Sequence, residues 1–76
     1  MNNARRTAIS GLMEMLQDLL SDLEVIKDHE EETLDNIPEN LQGTERYLIC
    51  ESAVDNLNGA YDSIQEALEY LEASRS

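Results

Sequence analysis

Apolar residues recur along the first half of the chain at Ile9, Leu12, Leu16, Leu19, Leu23 and Ile26. The steps alternate between three and four, which is the period of an amphipathic helix with a heptad repeat. Ile9, Leu16 and Leu23 take position a, and Leu12, Leu19 and Ile26 take d. The same register places Glu30 at a and Thr33 at d, so the stripe turns polar near its end. A lane at e (Met13, Leu20, Lys27, Leu34) widens the face beyond a simple two-stranded seam. The second half repeats the pattern with Tyr47, Cys50, Val54, Leu57, Tyr61, Ile64, Leu68 and Leu71. Beside it, at g, runs a lane of small residues: Ala53, Ala60, Ala67 and Ser74.

The two runs are separated by Asp35-Asn36-Ile37-Pro38-Glu39-Asn40-Leu41-Gln42-Gly43-Thr44. Pro38 cannot continue a helix and pushes Ile37 out of the α region. Gly43 suits a chain reversal, and Thr44 is an N-cap candidate with Glu45 in the first turn behind it. A single turn is expected within Pro38–Gln42, with Ile37 and Leu41 plugging the end of the structure. The spacing therefore predicts one domain over residues 1–76: a helix from about 4 to 35, a turn at 36–43 and a helix from about 44 to 74. Both helices would be roughly 45–48 Å long. Equal lengths and a short connector imply an antiparallel hairpin.

The two stripes agree with each other on this point. In an antiparallel pair each a should meet a d, and the residue numbers of every layer should add to one constant. Ile9 with Leu71, Leu12 with Leu68, Leu16 with Ile64, Leu19 with Tyr61, Leu23 with Leu57, Ile26 with Val54, Glu30 with Cys50 and Thr33 with Tyr47 all add to 80. Asn58-Gly59 is a turn-like dipeptide inside the second run, and Gly costs about 1 kcal/mol there relative to Ala. The heptad phase passes through it unchanged, so one continuous helix is expected, with a kink at 58–59 as the alternative.

A hairpin closed through a and d leaves Met13, Leu20 and Leu34 on one flank and Leu48 and Ile49 near the turn. Small domains with so little core need a staple or a partner. These five residues are the expected interface for self-association, and two hairpins would make a four-helix bundle. The fold class is thus all-α: an antiparallel, coiled-coil-like two-helix hairpin that dimerises into a four-helix bundle.

Charge changes the picture next. The 76 residues hold 17 acids and five bases, a net −12. The charge is no tail: residues 1–35 carry −6 and residues 36–76 carry −6. So strong a negative field disfavours contact with nucleic acid or anionic lipid. No apolar run approaches the ~18 residues of a membrane span. Ser10, Gly11 and Glu14 interrupt any signal-peptide core, and one cysteine forms no internal disulfide, so a cytoplasmic location is expected. Acids line up in rows: Glu14, Asp18 and Asp22 on the first helix, and Glu51, Asp55, Asp62, Glu66 and Glu69 on the second. Like charges four apart destabilise a helix by a few tenths of a kcal/mol. The rows read either as a face that imitates nucleic-acid phosphates to a partner with a basic surface, or as a coat that keeps a small bundle dispersed.

Catalytic and metal chemistry finds little support. Asp28-His29-Glu30-Glu31-Glu32 is the densest ligand cluster, but the second histidine of a zinc-binding His-Glu-x-x-His is replaced by Thr33. A di-iron Glu-x-x-His fails because Ile26 stands three residues before His29. The layers bring residue 30 opposite Cys50, so His29 is expected near that thiol, yet no orienting group or oxyanion donor accompanies the pair. No cofactor and no enzyme activity are expected. Tyr47 and Tyr61 fall in the seam, and Tyr70 lies outside it.

Asn36-Ile37-Pro38-Glu39-Asn40-Leu41-Gln42, then Glu45-Arg46-Tyr47, then Ala53 with Asp55-Asn56-Leu57, resembles a group of small uncharacterised acidic helical proteins of Firmicutes and their phages that carry an IPENLQ-type turn. The resemblance covers about residues 35–72 and implies a bacterial, mobile-element setting. No activity comes with it. Taken together, the expected function is non-enzymatic: a small acidic regulatory or protein-binding molecule, a phage or mobile-element inhibitor of a nucleic-acid-handling partner. The alternatives are a structural oligomerisation module and a small-ligand sponge at an oligomer interface.

Overall fold

The computed structural model describes residues 1–76. Helix α1 spans Asn3–Asp35, and helix α2 spans Glu45–Arg75. They pack against each other along a body of 59 × 15 × 13 Å, so the chain is an all-α hairpin.

Each helix begins on a side-chain cap. Asn2 Oδ1 accepts from the Arg5 N–H at 2.9 Å. Thr44 Oγ1 accepts from the Tyr47 N–H at 3.3 Å and donates to the Leu41 carbonyl at 2.8 Å. These caps satisfy backbone N–H groups that the first helical turn leaves free. α1 ends where the Asn36 and Ile37 N–H groups bond back to Glu32 and Leu34. Pro38 then holds an extended backbone, and Glu39–Leu41 forms one 3-10 turn. Gly43 has φ +93°, a conformation that L side chains rarely adopt, and it completes the reversal into Thr44. α2 continues unbroken through Asn58-Gly59, where a Cβ on Gly59 would meet nothing within 4 Å.

The far end is closed by polar groups. Arg75 donates to Ser10 Oγ at 2.8 Å and pairs with Glu72, and Arg6 Nε donates to the Arg75 carbonyl at 3.1 Å.

The seam between the helices differs from the a/d seam that the spacing predicts for α1. Apart from Ser10, Gly11 and Glu31, the covered residues of α1 are Ile9, Met13, Leu16, Leu20, Leu23, Lys27, Glu30 and Leu34, which are positions a and e. The d lane is outside: Leu12, Leu19 and Ile26 are 52%, 56% and 57% exposed, whereas Met13 is 7% exposed. Met13, Leu20 and Leu34 therefore belong to the hairpin's own seam and are not its free flank. The reason lies toward the turn. There the d lane ends in Thr33, while the e lane ends in Leu34. The one charged member of the e lane, Lys27, is accommodated. Its ammonium sits 3.5 Å from Glu31 and 3.6 Å from Asp28, and 5.4 Å from the Tyr61 ring centroid. On α2 the covered positions are those the sequence predicts, with Val54 buried.

Candidate interaction surface

Successive residues of an α-helix turn by about 100°, so each lane has a fixed bearing from the seam. On α1, Leu12, Leu19 and Ile26 lie about 80° round from the seam, with Met15 beside them. On α2, the alanine lane of Ala53, Ala60 and Ala67 lies about 90° round from the seam, with Ile49 about 40° further round. The helices run in opposite directions, and this puts both lanes on the same side of the hairpin. Two independent features agree. Glu30 and Thr33 from that side of α1 line a common groove with Ile49 and Ala53 from that side of α2. Asp35 and Glu51, which the same bearings place on the opposite side, both act on Tyr47.

The result is a broad apolar face. It contains Leu12, Met15, Leu19 and Ile26 from α1, and Ile49, Ala53, Ala60 and Ala67 from α2. Of the 17 acids only Glu30 lies on it, with Asp22 at its margin. Beyond the d lane and Ile49, which is 64% exposed, lies the groove at the turn end, about 650 Å³. Ile37, Leu41 and Tyr47 form its apolar walls, and Glu30 and Arg46 stand in it. Ile37 and Leu41 border this groove without filling it, so the end of the hairpin is left open.

The acid rows take other bearings. Asp18 points away from α2, about 180° from the seam, with Glu14 about 120° round on one side and Asp22 about 140° round on the other, in line with Met15 at the margin of the apolar face. Asp55, Asp62 and Glu69 lie about 130° from the seam of α2 on the side opposite the apolar face, with Glu51 nearer the seam at about 70° and Glu66 on the back at about 170°. All eight are exposed. They form two rows on the backs of two helices and do not converge into one face. Leu48, expected beside Ile49 at an interface, faces the α2 acid row instead.

Cys50 meets Glu30, whose backbone carbonyl and carboxylate are both 4.0 Å from its Sγ. His29 is exposed, on the far side of α1 from the seam, so the structure does not bring it to the thiol. No group of three or more His, Cys, Asp or Glu is placed to hold a metal ion. No helix is long and apolar enough to cross a membrane.

Three groups hold their protons more tightly than usual. Burial pushes the Cys50 thiol up and the negative charge of Glu30 adds to it, against the opposing Arg46. Burial also raises the Tyr47 phenol, helped by Glu51 and Asp35. For Lys27 burial works downward, but Glu31 and Asp28 outweigh it and leave the ammonium raised. A group whose folded pKa is raised contributes stability that is complete below its unfolded pKa and lost as pH rises through the folded one. The ordinary values are 9.0, 10.0 and 10.5 for these three groups. Melting followed by circular dichroism should therefore show a midpoint that falls as pH rises from about 8 to 11. Cys50→Ala should delay the onset of that fall, since the thiol titrates first.

No family model, curated protein or solved structure matches the chain.

Proposed function

We propose that the chain is a non-enzymatic binding protein whose working form is a homodimeric four-helix bundle. The observation that carries this reading is the separation of its two surfaces. The hairpin alone buries only Met13 and Val54, yet one face is apolar along its length while the acids sit elsewhere. Pairing two such faces supplies the missing core and costs little like-charge repulsion, because only Glu30 and the marginal Asp22 approach the contact. The face is as long as the hairpin, 59 Å, and as wide as its 15 Å section, room enough for a contact on the order of the ~800 Å² per partner of a standard stable interface.

The pairing leaves the acid rows of each copy outside, except for Asp22 at the margin. On this reading they meet a larger protein partner with a basic surface, in the manner of a phage or mobile-element inhibitor of a nucleic-acid-handling protein. Partner capture from a bacterial lysate should weaken as salt rises, and Asp55→Asn, Asp62→Asn and Glu69→Gln together should abolish it. The mass by light scattering should stay unchanged. Capture that survives the triple substitution overturns the mimicry reading. The protein is then a structural module, and its charge serves as a coat. The turn-end groove favours a further alternative, an apolar ligand held at the oligomer interface.

A further inference from the structure

If the hairpins pair through their apolar faces, as proposed above, a two-fold axis lying in the contact plane has two settings. Perpendicular to the hairpin, the axis lays α1 on α1 and α2 on α2, with the turns at opposite ends. Along the hairpin, it lays α1 of each copy on α2 of the other, with the turns at the same end. We infer that the hairpins pair turn to turn, with each α1 over the partner's α2, so that the two turn-end grooves close on one another.

Side-chain size selects this setting first. Leu12 lies within about 3 Å of level with Ala67, Leu19 with Ala60 and Ile26 with Ala53, since each pair of numbers adds to 79 and the seam layers, Glu30 with Cys50 among them, add to 80 or 81. Turn-to-turn pairing sets Leu12, Leu19 and Ile26 of α1 on the alanine lane of the partner's α2, and the reciprocal contact is identical. The other setting stacks leucine on leucine and alanine on alanine, which separates one helix pair more than the other along the same interface.

The ends select it again. The turn end of the face is an apolar groove of about 650 Å³, walled by Ile37, Leu41, Tyr47 and Ile49. The opposite end is polar, with Arg6, Ser10 and Arg75 joined by hydrogen bonds. Turn-to-turn pairing matches groove with groove and encloses both. The alternative covers each groove with the polar end. Charge is consistent with the choice. Glu30 and Arg46 line the same groove, so closing groove on groove brings Arg46 of each copy toward the partner's Glu30.

Inter-label distances separate the settings. A nitroxide at Gln42→Cys, in the Cys50→Ala chain, reads the spacing of the two turns by pulsed electron resonance. Ser76→Cys, at the other end, repeats the measurement away from the groove. Turn-to-turn pairing gives a distance below about 35 Å from both sites, since stacked helices lie 8–10 Å apart and the label arms add the rest. Distances on the order of 50 Å from both sites, near the 59 Å length of the hairpin, overturn the inference and leave the dimer standing. No inter-label distance together with an 8.6 kDa mass overturns the dimer itself.

Discussion

Leu19→Glu should reduce the mass in solution to 8.6 kDa, where the proposed dimer of the unsubstituted chain should give about twice that, 17 kDa. Leu19 is 56% exposed in the hairpin and stands midway along the apolar face. In a symmetric dimer the substitution enters the contact twice. Removing a carboxylate from water without a partner costs several kcal/mol, and 1.4 kcal/mol is tenfold in affinity. Two copies should raise the dissociation constant by more than a thousandfold. Light scattering on a sizing column reads the mass directly. A dimer that persists in Leu19→Glu at micromolar concentration would sink the assembly. The variant should also lose helicity on dilution, because a hairpin with two buried residues has little core of its own. The unsubstituted chain, by the same linkage, should melt at a higher temperature as its concentration rises.

The contrast between Leu19 and its neighbour Leu20 shows what could be read from the sequence and what could not. Alternating steps of three and four define a helix whichever lanes form the seam, so two helices and their antiparallel pairing were legible. So were Thr44 as a cap, the turn between Pro38 and Gln42 and the reversal at Gly43. The choice between d and e on α1 was not. Both lanes are spaced by seven, and replacing d by e moves only those layers from 80 to 81 while the a layers stay at 80, a difference of one residue, or about 1.5 Å of rise, that spacing alone does not decide. The deciding terms were local: Leu34 against Thr33 at the turn end, and a lysine at position 27 that finds Asp28, Glu31 and a tyrosine ring. A charged residue in an e lane argues for an exposed lane until its partners are placed in space. That error carried Met13, Leu20 and Leu34 to the outside and hid Leu12, Leu19 and Ile26. The acid rows suffered in another way. Spacing along one helix says nothing about the bearing of a row on its neighbour, and two rows that look alike in sequence lie on separate backs of the hairpin. The small-residue lane, by contrast, was visible at once as Ala53, Ala60 and Ala67, although its value depends on the leucines that share its side.

Met13→Asp should unfold the protein, whereas Val25→Asp should leave it folded and its mass unchanged. The two sites are alike in sequence, since each is an apolar residue within α1. In the structure Met13 is 7% exposed, within the seam, and Val25 points away from α2. An aspartate at 13 is level with Leu68, between Ile9 and Leu16 on its own helix and Ile64 and Leu71 on the other, with no cation among them. The loss combines the packing of a buried methionine, about 2–5 kcal/mol when cut to alanine, with the desolvation of a charge that has no partner. A 76-residue chain with so small a core holds only a few kcal/mol in total, so this one change is enough to exhaust it. Circular dichroism at 222 nm and 25 °C reads the outcome: loss of most helical signal for Met13→Asp, and a native spectrum with an unchanged mass for Val25→Asp. Protonation supplies the internal control. Below about pH 4 the introduced carboxylic acid becomes neutral, and helicity in Met13→Asp should partly return. If Met13→Asp instead stays fully helical and only dissociates, Met13 belongs to the contact between copies, and the a/e seam is wrong.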